Sequence, residues 1–410
     1  MAAWHGRRRR RGEGAHVGLL REANGGQQAT FVELFFDLVM VFALTRLVAQ
    51  AVPGFDNDEF APRWANVGRT LLLFAPLLWL WTTTAYLTAR FAPRWPGTQL
   101  VVVGSALGLL FMGAAVPDAF TVGGLAFAVP LVAVQFGRLA GLVLFLDSHA
   151  LRRQYARAMV WYAVSSVFWI VGRFASGGNR VAWWTAAVAV DLGAARLGWP
   201  VPGLGRERTL TWRYGGQHLA DRFPQFLLIS LGETILAVGI EYSAGPRRGY
   251  QTAALLVAFF TTVLLWRIYF FRVGDLLADA FERSRDPAGW GRRVGFAHGV
   301  MVLGVVATAI GNYLVHHHHT DFTFPSWRVM IIGGPVLFLL GRSRLEYLVF
   351  DRVSRRRVIG IAALLATGQL LSDTPPLALA ATAATILLII AVLDQLQALR
   401  RPPEHAKPAF

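Results

Sequence analysis

Apolar residues in this chain come in long runs broken by short polar stretches. Twelve runs fall roughly at 31–51, 67–88, 98–117, 121–146, 155–174, 180–198, 222–243, 250–271, 295–315, 326–342, 357–372 and 375–396. Each approaches the ~20 residues that a helix needs to cross a hydrocarbon core. The pattern predicts an all-α polytopic membrane protein with about twelve transmembrane helices. The sixth run holds Asp191 and Arg196, and the eleventh is short.

The basic residues between the runs alternate in density. With both termini placed in the cytoplasm, the inside segments collect 28 Lys and Arg and the outside segments 7, with 5 within or at the edges of the runs. Cytoplasmic loops carry such an excess, so the count predicts cytoplasmic N- and C-termini. This placement accounts for most of the net charge of +16 and removes the argument for a nucleic-acid partner. The expected partners are the lipid bilayer and an ion or small solute. Residues 1–28, with Arg7 to Arg11, read as a basic disordered cytoplasmic tail, and 399–410 as a second tail. The first apolar run lacks a small-residue cleavage site, so it is expected to be retained.

The two halves resemble each other. LLW at 77–79 matches LLW at 264–266, and PLVAVQFGRLAGLVLF at 130–145 resembles PVLFLLGRSRLEYLVF at 335–350. Twelve runs divide into six plus six, so both halves start on the same side. The expectation is two parallel six-helix repeats, 29–200 and 201–398, an organisation frequent in transport folds.

Charges inside the runs change the picture further. An ionised group at the bilayer centre costs about 3 kcal/mol on insertion scales, so it turns to the bundle interior and takes a partner. Glu33 and Asp37, spaced i and i+4, share one face near the inner end of the first run. Glu233 lies near the midplane of the seventh. Arg222, Arg138, Arg267 and His298 lie at depths suited to a polar cluster around Glu33 and Asp37. Each has a structural alternative: snorkelling for Glu33 and Arg222, a register-fixing ion pair for Asp37 with Arg138, and an interhelical hydrogen bond for Glu233. His298 has that of a core histidine. Gly232 and Gly239 suit close helix packing, Asp191 suits a pair with Arg196, and Trp183, Trp184 and Trp327 suit interfacial anchoring.

Soluble chemistry is thinly represented. There is no cysteine, which excludes disulfides and thiolate sites. No Walker A loop, Rossmann turn, GxSxG or HExxH occurs, and no cofactor is expected. His316, His317, His318 and His319 form a weak metal candidate, since four consecutive imidazoles do not preorganise a closed site.

Several stretches resemble one family. FVELFFDLVMVFALTRL (31–47), AVPDAF (115–120), the Arg138 region, HLADRFPQFLLISLGETILAVG (218–239) and AHGVMVLG (297–304) are similar, in that order, to the bacterial low temperature requirement protein A family. Asp221-Arg222-Phe223-Pro224 stands where that family usually has Glu-Arg-Phe-Gly, and TTTAYLTARF (82–91) lacks the usual Asn or Asp. The resemblance implies a polytopic inner-membrane protein without an established biochemical activity. Phe35-Phe36-Asp37 on the first helix also resembles the Phe-Ser-Asp motif of a potassium-channel family. The functional expectation is a secondary transporter or channel using buried carboxylates. Its alternatives are an intramembrane lipid-handling enzyme and a membrane sensor or scaffold.

Overall fold

The computed structural model describes residues 29–55, 60–145, 149–206, 216–245, 247–271, 276–318, 323–400 and 405–408. Among them no β-strand occurs, and the regular elements are helices. In chain order these are α1 (Phe31–Ala51), α2 (Phe60–Arg90), α3 (Pro96–Ala115), α4 (Gly124–Phe145), α5 (His149–Phe174), α6 (Gly177–Leu197) and α7 (Gly216–Ala244). They continue with α8 (Gly249–Phe270), the short α9 (Leu277–Arg283), α10 (Pro287–His317), α11 (Pro325–Phe350), α12 (Arg355–Leu370) and α13 (Pro376–Arg400). Each apolar run of the sequence lies largely within one of the long helices. Seven of them, α2, α3, α4, α7, α8, α10 and α13, are long and apolar enough to cross a membrane. The other five hold charges among their apolar residues or, like α12, are short.

Local chemistry starts these helices where it should. Pro96, Pro287, Pro325 and Pro376 each open a helix, where a missing N–H leaves no unmet bond. Asp286 caps α10 by accepting from the Gly289 N–H at 3.0 Å. Thr30 and Glu33 form a capping box at α1. Gly198, with φ of 78°, ends α6 in the left-handed conformation. Pro76, Pro130, Pro224 and Pro335 lie inside helices, a placement that neighbouring helices make tolerable in a bundle.

Helix neighbours in the two halves largely correspond, the second half adding α11 on α13, α10 on α13 and α8 on α11. In the first, α1 packs on α2 and α3, α2 on α3 and α6, α3 on α4, α4 on α5 and α5 on α6. In the second, α7 packs on α8 and α10, α8 on α10 and α13, α10 on α11, α11 on α12 and α12 on α13. The halves meet along α1 and α7, with further contacts from α2 and α10. Trp327 Nε1 donates to the Phe55 carbonyl at 3.2 Å, and Arg63 donates to Ser326 Oγ at 3.2 Å, both across the halves.

The tightest crossing is α10 on α11, and small residues make it possible. A Cβ at Gly304 would fall 2.6 Å from the Phe338 backbone N, and one at Gly334 would fall 2.6 Å from the Thr308 backbone N. Backbones approach this closely only where side chains are absent. Gly232 and Gly239 face open space instead, so the close packing expected there occurs on another helix pair. Two of the expected interfacial tryptophans are also corrected. Trp184 and Trp327 are core residues, and only Trp183 of the three is exposed. Trp184 packs against Phe127 and Trp169, where its large ring buries more area than it could at an interface. The C-terminal tail departs from expectation too. Ala406 is buried, and the Lys407 N–H donates to the Val349 carbonyl at 2.8 Å, which ties the tail to α11. The basic segment 1–28 lies outside the described residues.

Gly334→Ala is expected to lower the melting temperature of the detergent-solubilised protein, with a loss of about 1–3 kcal/mol from overpacking. Gly333→Ala, one residue away and with only Val329 within 4 Å of its Cβ, is expected to leave it unchanged. Equal melting of the two variants would contradict the packing described.

Candidate functional site

Two sets of buried polar side chains lie along the α1–α7 seam. The first begins with Asp37. Arg222 on α7 grips it with two parallel bonds, Nη1 to Oδ2 at 2.6 Å and Nη2 to Oδ1 at 2.8 Å. Trp81 Nε1 on α2 donates to Oδ1 at 2.8 Å. Asp37 is fully buried and Arg222 is 1% exposed. Fork-on-carboxylate geometry of this kind is what makes a buried ion pair tolerable. It also corrects the snorkelling reading of Arg222, whose guanidinium points inward.

Glu33 extends the set. Its Oε1 meets His218 Nε2 at 2.8 Å and lies 3.7 Å from Arg222 Nε. Its Oε2 accepts from the Thr30 N–H and hydroxyl, each at 2.8 Å. Glu33 therefore caps its own helix and ties it to α7. Two i, i+4 pairs face each other here, Glu33 with Asp37 on α1 and His218 with Arg222 on α7. His218 was missed in the sequence reading, although its spacing from Arg222 repeats that of the two acids. Trp81 supplies the third donor to Asp37 through its indole N–H.

Aromatic rings carry the set into the second half. Arg222 sits over the Trp81 ring at 5.6 Å, and Trp81 stacks on Phe226 at 3.9 Å. His298 stacks on Phe223 at 4.8 Å. Its Nδ1 faces the Val294 carbonyl at 2.9 Å, so that nitrogen carries the proton, and Nε2 accepts from the Tyr269 hydroxyl at 2.8 Å. His298 is thus a satisfied core histidine, linked to Arg222 through the rings of Phe223 and Trp81.

The second set is smaller. Glu233, near the middle of α7, is fully buried. Its Oε2 accepts a short hydrogen bond from the Thr45 hydroxyl on α1. Its Oε1 has no hydrogen-bond partner, and no cation pairs with it among the described residues. Thr234 and Thr262 share a hydrogen bond at 2.6 Å in the next layer.

Other candidates lie elsewhere. Arg138 donates to Thr83 Oγ1 on α2 at 2.8 Å and lines an apolar cavity of about 680 Å³ between α3 and α4. It takes no part in the bonds around Asp37, and α4 packs chiefly on α3 and α5. Arg267 bonds Gln395 on α13 and lies 4.4 Å over the Phe271 ring, so it too is outside the set. Asp191 takes the Gln135 amide at 3.4 Å and not Arg196, which is exposed on the opposite side of α6. His317 meets Glu241 at 2.9 Å, His318 stacks on Trp327 at 4.0 Å, and His316 is buried near Tyr242. Their side chains diverge, and His319 lies outside the described residues. Among the described residues no group of three His, Asp or Glu converges on a metal-sized space.

Arg222→Ala would strand Asp37 without its cation. The expected loss of folding stability is about 3–5 kcal/mol, with the double change Asp37→Leu and Arg222→Met recovering most of it. Chemical denaturation in mild detergent measures both, and an Arg222→Ala protein as stable as wild type would refute the pairing.

The chain matches the family described as bacterial low temperature requirement A protein (LtrA) over residues 28–392. It is 31% identical over 383 residues to an uncharacterised protein of Rhizobium meliloti (strain 1021), covering 92% of each chain. No solved structure matches it. The matched span contains α1, α7, α10 and every polar contact described between them, and the chain belongs to the bacterial low temperature requirement A protein family.

Proposed function

We propose that this multi-pass membrane protein is a secondary transporter or channel of the inner membrane, moving an ion or small solute through an exchange site at Glu233 and Thr45. The observation that carries the reading is Glu233 itself. It is fully buried in mid-helix, with one oxygen on Thr45 and the other without a partner. An unpaired carboxylate in a low-dielectric interior is strongly unfavourable unless it holds a proton or a cation. Such a group is suited to taking up and releasing one or the other.

The same proposal includes twelve spans, built as two parallel repeats with both termini cytoplasmic. The matching order of helix neighbours in the two halves supports the repeat. In that arrangement α1 and α7 are equivalent helices on the local axis, and Glu233 and Thr45 meet across it. Transport folds place their exchange sites at such repeat interfaces near the midplane. The 28-to-7 distribution of basic residues supports the orientation. Asp37, Arg222, Glu33 and His218 then act as the clamp that holds the two halves together on the inner side of the site.

A second reading, an intramembrane lipid-handling protein, is favoured by the cavity beside Arg138. Its lining includes exposed Leu100, Leu107 and Phe111, which suit acyl chains. Gly104 and Gly137 face it with open space at their Cβ positions. On this reading, Gly104→Leu blocks function without unfolding the protein.

The decisive experiment is charge movement in proteoliposomes on a solid-supported membrane, stepped through K⁺, Na⁺ and proton gradients. The expected outcome is a current for one cation in wild type and none in Glu233→Gln, with the two proteins melting alike. A current undiminished in Glu233→Gln overturns the assignment of the site.

A further inference from the structure

A second cavity, of about 420 Å³, opens where the end of α8, α11, the start of α12 and α13 meet. Five arginines line it (Arg342, Arg352, Arg355, Arg356 and Arg357) against two acids, Glu346 and Asp394, and Arg352 has a partner of its own, which leaves four to set against the acids. The acids are already engaged. Arg357 bonds Glu346 and also Asp394, the latter at 3.1 Å. Arg356 is held by the Leu393 carbonyl, which brings no countercharge.

Arg342 is the most deeply buried of the five, at 1% exposure. Its Nε and Nη2 donate to the Ile268 and Phe271 carbonyls, each at 3.1 Å, at the end of α8. Its Nη1 has no hydrogen-bond partner. A buried guanidinium N–H left unpaired is costly, and a charged one more so. The N-terminus of α12, with Ser354 at its cap, opens onto the same space and adds the positive end of a helix dipole. An excess of arginine, an orphaned buried donor and a helix N-terminus together describe the chemistry that binds a phosphate oxyanion.

We infer that this cavity binds a phosphate group, carried by an anionic lipid headgroup or by a soluble phosphate, with Arg342 and Arg355 as ligands. The site is built from other helices than those that carry Glu233 and Thr45. The cavity is polar and near a helix end, a depth at which arginine meets headgroups.

The test uses the full-length protein, delipidated in detergent, with phosphatidylglycerol, phosphatidylcholine and inorganic phosphate as probes. Thermal melting and native mass spectrometry read binding. Phosphatidylglycerol is expected to raise the melting temperature and to remain bound one to one. Phosphatidylcholine, whose ammonium group opposes the arginines, is expected to do neither. Arg355→Gln, an exposed position where folding is not at stake, is expected to weaken binding about tenfold, the scale of one charge-assisted hydrogen bond. Arg342→Lys keeps the charge but loses the fork, and is expected to weaken it similarly. Protection by inorganic phosphate with the same dependence on Arg355 assigns the site to soluble oxyanions, and protection by phosphatidylglycerol alone assigns it to lipid. No protection by either, or binding undisturbed in Arg355→Gln, overturns the inference.

Discussion

The pairing of Arg222 with Asp37 is the constraint on which the rest of the seam depends. Neither charge is tolerable alone at this burial, and the cost of stranding one exceeds the worth of most single contacts in the bundle. The pair therefore sets the register of α7 against α1. With that register set, Glu33 falls opposite His218, Trp81 reaches Asp37 from α2, and Thr45 falls opposite Glu233. One bidentate contact thus decides which residues meet about two to three helical turns further along.

Glu233 and Asp37 make an instructive contrast. Both are acids on central helices, and both are fully buried. Asp37 is saturated, with two guanidinium bonds and an indole bond. Glu233 has a single hydroxyl and an empty second oxygen. A saturated group holds structure in place, whereas a buried acid with an open oxygen is stable only when it holds a proton or a cation. The aromatic packing of Trp81, Phe223, Phe226 and His298 excludes water around the first set and gives the clamp its low-dielectric setting.

Part of this site was legible in the chain. The i, i+4 spacing of Glu33 and Asp37 announced one polar helix face, and the depth of Glu233 marked it as the least tolerable charge. Arg222 was a candidate partner because its depth matched. Arg138 and Arg267 matched in depth as well, yet neither joins the set, since depth along a helix axis says nothing of direction around it. Nothing in the spacing around Arg342 marks it as buried. Its burial comes from two carbonyls left open at the end of α8, a feature of the backbone of another helix.

By itself the sequence determined that the chain is helical, where each long helix lies, and that its interior must hold acids. Those properties follow from one-dimensional quantities: the length of apolar runs, prolines at helix starts, and the free energy of a charge in hydrocarbon. Tertiary structure alone decided which charge answers which, that Trp184 and Trp327 are core, that the close crossing runs through Gly304 and Gly334, and that one oxygen of Glu233 is left open. Those depend on helix rotation and on which faces meet, and inside a bilayer nearly every face is apolar. Hydrophobic periodicity, the signal that orients a helix in a water-soluble protein, is weak here, so the rotation is set by the few polar contacts and by close packing.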